Sequence, residues 1–203
     1  MKRSSMNFRA VFAILAVVFA FALQLNTAAA KDEPKSAFVS EILGQLDRLK
    51  GQVVSLEGAV PQDKFSWRPM EGVRSISEVY LHIGDGLYIF ANAAGLKAPL
   101  DNKILFDEKN RDVRTTDKAA IAKELNSSFD WTKSALAKLT DADLEKKVEF
   151  FGSKMSVRSL LVTLLTHAHE HLGQSIAYAR SNGVVPPWTA KEQEEMKKNT
   201  EKK

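Results

Sequence analysis

The chain has 203 residues, of which 44% are hydrophobic and 27% charged, a length and composition suited to one folded domain. It contains no cysteine, which excludes disulfides, thiolate metal ligands and a cysteine nucleophile. The formal net charge is +4, but three basic residues lie at the very start of the chain. Without them 26 basic residues face 25 acidic ones, so the charge does not indicate nucleic-acid binding.

The first 30 residues have the organisation of an export signal. Lys2, Arg3 and Arg9 form a positive segment, an apolar run covers residues 10–23, and three alanines end at Ala30. Cleavage after Ala30 would release a periplasmic or extracellular protein with no stable membrane attachment. The apolar run is shorter than the roughly 20 residues that cross a bilayer, so an uncleaved anchor is the lesser alternative.

The predicted domain, residues 31–190, contains four segments with apolar residues three or four positions apart, the spacing of amphipathic helices. These segments cover residues 36–58, 75–94, 117–139 and 156–182. Ser and Glu in capping-box spacing mark the start of the second helix. The pattern predicts an all-α fold, a four-helix bundle with long crossover loops.

The connections and the tail differ in composition from these segments. About twenty residues separate the second and third helices, which is long for a bundle and predicts a functional loop or one with short structure of its own. Residues 139–155 are predicted to contain a helical turn and then an extended piece. The tail, residues 191–203, is charged and lacks apolar anchors, which predicts disorder.

Three of the four histidines lie close together in the fourth helix. At about 100° per residue, His167 and His171 share the face that carries leucines, whereas His169 points about 200° away and is predicted to be exposed. His82 lies beside the apolar stripe of the second helix. Two imidazoles one turn apart and a third from a facing helix would form a three-nitrogen metal site with an open coordination position.

Spacing alone leaves a second interpretation equally open, in which these histidines are hydrogen-bonded core residues. Each buried histidine without a partner would cost about 1–3 kcal/mol, and one shared ion would satisfy all of them. Imidazole suits zinc, nickel, iron and copper, so the ligand type alone does not choose the metal. Zinc or nickel is the expected ion, with iron or manganese as alternatives.

Carboxylates near the histidines are candidates for supporting roles. Asp85 and Glu78 lie about one turn from His82, where a carboxylate would orient the imidazole or act as a general base. In the alternative interpretation Glu78 only caps its helix and Asp85 faces solvent. Glu170 directly precedes His171 and is either a partner of the histidines or an exposed charge.

Aromatic and basic residues in the predicted loops form a second group of candidates. Trp67, Phe150 and Phe151 would either line a pocket above the histidines or cap the core. Arg68 and Arg74 flank the start of the second helix, where they would bind an anionic substrate or lie at the surface.

Three segments, in their order and separation, resemble the DinB/YfiT-like family of four-helix-bundle proteins. They read VPQDKFSWRPMEGVRSISEVYLHI, FFGSKMSVRSLLVTLLTHAHEHLGQ and HEHLGQSIAYAR, and the resemblance covers roughly residues 36–182. It implies a divalent metal held by His82, His167 and His171 at the mouth of the bundle. Gln174 matches the family's glutamine, with a hydrogen-bonding rather than a ligating role implied.

Tyr178 matches an aromatic position of the family's last helix. The resemblance also has implications for the activity of the protein. Some relatives are transferases or isomerases that use low-molecular-weight thiols, and relatives are commonly dimers, so a homodimer is one expectation. A thiol is less available outside the cytoplasm. The leading prediction is an exported metal-dependent enzyme, a hydrolase or transferase, that acts on a small molecule. The alternative is a non-catalytic binding or scaffolding bundle with a structural metal or none.

Overall fold

The computed structural model describes residues 36–100, 103, 107 and 112–201. The predicted export signal, residues 1–30, lies outside the described residues, and so does most of the segment 101–111. In the part of the chain that is described, no helix is both long enough and apolar enough to span a membrane.

Four long helices and several short elements make up the fold. In chain order they are α1 (Ala37–Ala59), a 3₁₀ turn (Gln62–Lys64), α2 (Ile76–Ala93), α3 (Lys118–Leu136), α4 (Asp141–Leu144), β1 (Lys147–Phe150), β2 (Ser153–Ser156), α5 (Val157–Ser181) and α6 (Pro187–Thr200). The predicted four-helix bundle is confirmed. Its helices are α1, α2, α3 and α5, and their ends lie within three residues of the predicted ones.

Side-chain caps explain why the helix starts could be predicted. Ser36, Ser75, Asp117 and Ser156 each accept a hydrogen bond from a backbone N–H in the first turn of the helix that follows. Such a bond satisfies a donor that has no partner within the helix and is worth about 1 kcal/mol. Ser75 also forms the predicted reciprocal capping box with Glu78.

The packing order of the bundle places α2 deep inside the domain. Both α1 and α2 pack against α3 and α5, so α1 and α2 lie at opposite corners. Nearly every residue of α2 is buried, because the β1–β2 hairpin also packs on it. Its polar side chains, among them His82 and Asp85, must therefore find partners inside the protein.

The connection between α3 and α5 has the predicted helical turn followed by extended structure. β1 and β2 pair antiparallel, with Lys147 opposite Ser156 and Phe150 opposite Ser153. The hairpin packs against α2 and α5, the two helices that carry the histidines. Phe151 and Gly152 form its two-residue turn.

The prediction of a disordered tail from residue 191 is wrong, because α6 continues to Thr200. The residues of this segment are mostly strong helix formers, and Pro187 occupies the first turn, where its missing N–H costs nothing. Glu194 and Lys198 add an ion pair four residues apart. Trp188 connects α6 to the core, and the residues from 191 to 201 are exposed. Helix propensity therefore accounts for the order of this segment.

Candidate metal centre

His82 of α2 and His167 and His171 of α5 converge at one point between the two helices. One ring nitrogen from each histidine lies within 4.8 Å of the other two. Nε2 of His82 and Nε2 of His167 are 3.1 Å apart. Ligand nitrogens around a tetrahedral zinc ion are about 3.3 Å apart, given bonds of about 2.0–2.1 Å. The structure therefore brings together the three side chains that helical phase selected.

The histidines lie at the edge of the apolar stripe of α5 rather than at its centre. Leu164, Ala168 and Leu172 are buried, and His167 and His171 flank them at intermediate exposure. His169 is exposed, as its helical phase predicted, and Glu170 is exposed beside it. A half-buried position holds the rings in place and still leaves the cluster accessible to a small molecule.

Burial favours the neutral form of His171, which is the form that binds a metal, and a hydrogen bond selects the tautomer of that form. Burial lowers the pKa of His171 from its ordinary value, and the hydrogen bond to Gln174 partly opposes this effect. Nδ1 of His171 donates to Oε1 of Gln174 at 2.8 Å, and Nε2 of Gln174 donates to the hydroxyl of Tyr178 at 2.9 Å. In the neutral ring with its proton on Nδ1, the Nε2 atom is unprotonated and can bind a metal ion. Gln174 and Tyr178 thus form a relay that fixes this tautomer.

Asp112 is a site residue that the sequence did not reveal. Its Oδ2 atom lies 3.4 Å from Nδ1 of His82, and it also accepts a hydrogen bond of 2.6 Å from Nε of Arg74. Only the length of the crossover between α2 and α3 hinted at such a role, because nothing in the sequence pairs residue 112 with residue 82. Arg74 was predicted to bind an anion or to lie at the surface, and here it holds Asp112.

Asp85 does not belong to the histidine cluster, which corrects its candidacy as a partner of His82. It is buried rather than solvent-facing, and both of its carboxylate oxygens accept hydrogen bonds from Arg114, at 2.7 and 3.0 Å. Arg114 also pairs with Glu124 of α3. A residue three positions after His82 lies near the same face of α2, but the carboxylate of Asp85 is bound by Arg114.

Two further candidates, Glu78 and Trp67, have structural roles in the fold. Glu78 caps α2, as the alternative interpretation held. It also forms an ion pair with Arg68. Trp67 packs edge-on against Tyr178 with ring centroids 5.4 Å apart and contributes to the core. Neither residue belongs to the cluster of ligating groups, which consists of the three histidines in the described part of the chain.

Two cavities adjoin the histidine cluster and differ in chemistry. One, of about 340 Å³, is lined by His82 and His167 together with aromatic residues that include Phe90 and Phe150. The other, of about 530 Å³, is polar, and its lining includes Arg68, Arg74, Glu78, Asp112 and Gln174. Phe150 was predicted to line a pocket, and the structure places it in the wall of the smaller cavity.

Three imidazoles gathered from two facing helices define a helical-bundle protein with a candidate site for a divalent metal. The donor set fits such an ion, because all three donors are imidazole nitrogens and Gly86 leaves room for His167 beside α2. The chain belongs to the DinB superfamily, whose model matches residues 45–175 and therefore includes all three histidines.

Similar proteins come from Bacillus species. YjoA of Bacillus subtilis strain 168 is 28% identical over 129 residues, which is 61% of this chain and 77% of that protein. A DinB-like protein from Bacillus cereus ATCC 10987 has a TM-score of 0.63 at 23% identity, over 72% of this chain and 93% of its own. YfiT from B. subtilis has a TM-score of 0.57 at 16% identity, over 72% and 89% respectively. YfiT is described as a probable metal-dependent hydrolase with an unusual four-helix bundle topology. At these identities the structural likeness shows the fold alone.

Proposed function

We propose that this protein binds a divalent metal through His82, His167 and His171 and acts on a small molecule as a metal-dependent hydrolase. The observation that carries the proposal is the convergence of three imidazole nitrogens within 4.8 Å, from two helices that are distant in sequence. The fold shared with YfiT, a probable metal-dependent hydrolase, supports the same reaction class.

Three imidazole ligands leave at least one coordination position of the metal for a further ligand, and a divalent ion there supplies Lewis acidity. The proposed ion is zinc or nickel, both of which accept imidazole ligands, and iron or manganese is the alternative. The protein contributes fixed ring orientations through Gln174 and Asp112. Export would favour water over a thiol as the co-substrate, which is why hydrolysis is preferred here to thiol transfer.

The metal content of protein purified without a histidine tag tests the proposal. We expect about one equivalent of metal in the wild type, and the same in His169→Ala, because His169 is exposed on the same helix outside the cluster. His171→Ala should lose the metal and keep the helical circular-dichroism spectrum of the wild type.

Other results would favour other functions. An absence of metal from protein refolded with zinc, nickel, iron or manganese would leave the non-catalytic binding or scaffolding bundle as the better account. Unfolding of the wild type on removal of the metal would indicate a structural ion instead. If the ion is functional and exchangeable, we expect the protein to stay folded without the metal and to bind one equivalent again when it is added.

We further propose that the protein is exported and acts as a homodimer outside the cytoplasm. The support is the organisation of residues 1–30, and for the dimer the resemblance to the family. N-terminal sequencing of protein recovered from fractionated cells should begin at Lys31 if cleavage follows Ala30. A full-length cytoplasmic protein would overturn the export proposal, and a monomeric mass in light scattering would overturn the dimer.

A further inference from the structure

The turn of the β1–β2 hairpin places an aromatic residue where the backbone disfavours one. Phe151 has a φ of 47° and Gly152 a φ of 77°. Positive φ at both central residues is the pattern of a type I′ turn, which favours Asn-Gly. A bulky residue in this region is a genuine outlier, and such strain often marks a functional site.

Packing does not offset the strain at Phe151. The residue is 77% exposed, so burial of its ring contributes little to folding. An asparagine at this position would relieve the strain and expose less apolar surface. The stability of the fold therefore gives no reason for a phenylalanine here, and a role at the adjoining cavity does.

A continuous run of aromatic rings connects Phe151 with the histidine cluster. Phe151 contacts Phe150 with ring centroids 4.5 Å apart, Phe150 stacks on Phe90 at 4.6 Å, and Phe90 lies 5.3 Å from His167. These rings line the cavity of about 340 Å³ that also includes His82. Its volume is near the lower limit for small-molecule pockets and suits a ligand with a single aromatic ring.

Helix α5 contributes His167 and three polar residues to the lining of this cavity. Thr163 and Thr166 contribute hydroxyl groups, and Glu170 contributes a carboxylate. A negatively charged substituent would be repelled by Glu170, whereas a neutral one would find hydrogen-bonding groups and aromatic surface. The arginines near the cluster line the other cavity, on the side of Asp112.

We propose that the cavity between Phe90, Phe150 and Phe151 binds the uncharged, aromatic-sized part of the substrate, with Phe151 as a specificity-determining residue that covers it. This inference rests on the proposed function, because it places the reactive group of the same molecule at His82 and His167. The substrate class is a small neutral compound with one apolar ring next to a polar, metal-directed group.

Two hydroxamates with the same metal-binding group and different substituents test the inference on zinc-loaded protein. Benzohydroxamate should bind about tenfold more tightly than acetohydroxamate, since partial burial of a phenyl ring contributes on this order. Phe151→Asn should reduce the ratio to about threefold and Phe150→Ala to about one, because each removes part of the aromatic wall. Met196→Gln, which removes an exposed apolar side chain of α6, should leave the ratio unchanged.

Thermal unfolding distinguishes a binding role of Phe151 from a structural one. Phe151→Asn should raise the melting temperature of the metal-free protein while it weakens benzohydroxamate binding, because asparagine tolerates positive φ. A variant that instead unfolds earlier, or that loses zinc affinity, would show that Phe151 supports the fold or the metal site. That result would overturn the inference.

A metal-free arm separates this inference from the proposed function. Benzamide added to the metal-free protein should shift the amide resonances of Gly86, Thr163 and Thr166, and acetamide should not. Failure of the protein to bind any metal, with this benzamide effect intact, would overturn the proposed function and leave the cavity assignment standing. Equal responses to the two amides, or equal binding of the two hydroxamates to zinc-loaded protein, would overturn the cavity assignment alone.

Discussion

Gly86 of α2 lies directly against the imidazole of His167, so that a Cβ atom at position 86 would be 2.6 Å from Cε1 and 3.1 Å from Nδ1 of that ring. A Cβ atom essentially never lies within 3.0 Å of another side-chain atom, so the 2.6 Å approach would force the ring of His167 or the helix to shift. The orientation of His167 therefore depends on a residue without a side chain on the facing helix.

Substitution of Gly86 should separate helix stability from metal binding. Gly86→Ala removes a helix-weakening glycine, worth about 1 kcal/mol, but forces the ring of His167 to move. We expect zinc affinity, measured by titration calorimetry, to fall at least tenfold, since misplacing one ligand removes most of its contribution. Gly173→Ala in α5 is the matched control, because its Cβ would meet nothing within 4 Å. Equal affinities in the two variants would contradict this account of Gly86.

Gln174 should affect metal affinity through the tautomer of His171. Gln174→Leu removes the acceptor at Nδ1, and loss of such a partner typically weakens metal binding 10- to 100-fold, an approximate range. Tyr178→Phe removes only the far end of the relay and should change affinity less than about threefold. Competition with a chromogenic chelator measures both variants. A larger effect of Tyr178→Phe would assign the orienting role to the hydroxyl instead.

The buried ion pair between Asp85 and Arg114 should support stability rather than metal binding. Arg114→Met leaves the carboxylate of Asp85 buried without its main partner, which should lower the free energy of unfolding by about 3 kcal/mol. Lys198→Met breaks an exposed pair in α6 and should cost less than about 0.5 kcal/mol. Urea denaturation measures both. Zinc affinity should be unchanged in folded Arg114→Met, and its loss would link the ion pair to the site.

Glu57 should make the protein less stable as pH rises. Burial raises the pKa of Glu57, and the charge of Lys118 opposes this only in part. Its Oε1 atom also has no hydrogen-bond partner among the described residues. The unfolded chain therefore ionises first as pH increases past the ordinary glutamate pKa, and the folded state is progressively disfavoured until Glu57 itself ionises.

Glu57→Gln should consequently stabilise the protein at pH 7 and lose this advantage as pH falls below about 4, where both states are protonated. The free energy of unfolding in urea, measured at several pH values, gives the comparison. Glu41→Gln removes a charge from the exposed face of the same helix and controls for net charge. A stabilisation that grows toward acidic pH would have the wrong sign and would refute this prediction.

Local signals in the sequence were sufficient for the helices and for the side of α5 on which His167 and His171 lie. The positions of Ser75 and Glu78 determine where α2 begins, and the phases of His167 and His171 follow from helix geometry alone. Asp112 was not predictable in this way, because its contact with His82 depends on how a long crossover folds back over α2. Contacts between segments without periodicity leave no pattern in one sequence.

Burial of polar residues on α2 was equally hard to predict. Asp85 is charged and lies in an amphipathic helix, which normally indicates an exposed position. Its burial depends on Arg114, which comes 29 residues later and also pairs with Glu124. The prediction for the tail was wrong for a different reason. It took the lack of apolar anchors as a sign of disorder, whereas helix propensity decides the structure of this segment.

Because His82 and His167 are 85 positions apart in the chain, a metal ion bound to both would make the metal supply a determinant of the protein's lifetime. Before folding, the chain offers an ion the histidines of the α5 segment, and the set that includes His82 exists only once α2 has docked. An ion that prefers the complete set would hold these distant helices together as a reversible cross-link. At a free concentration one hundred times its dissociation constant it would add at most about 2.7 kcal/mol to the folding free energy, because the unfolded histidines also bind some of the metal. Cells starved of the metal would then degrade the protein faster than cells well supplied with it.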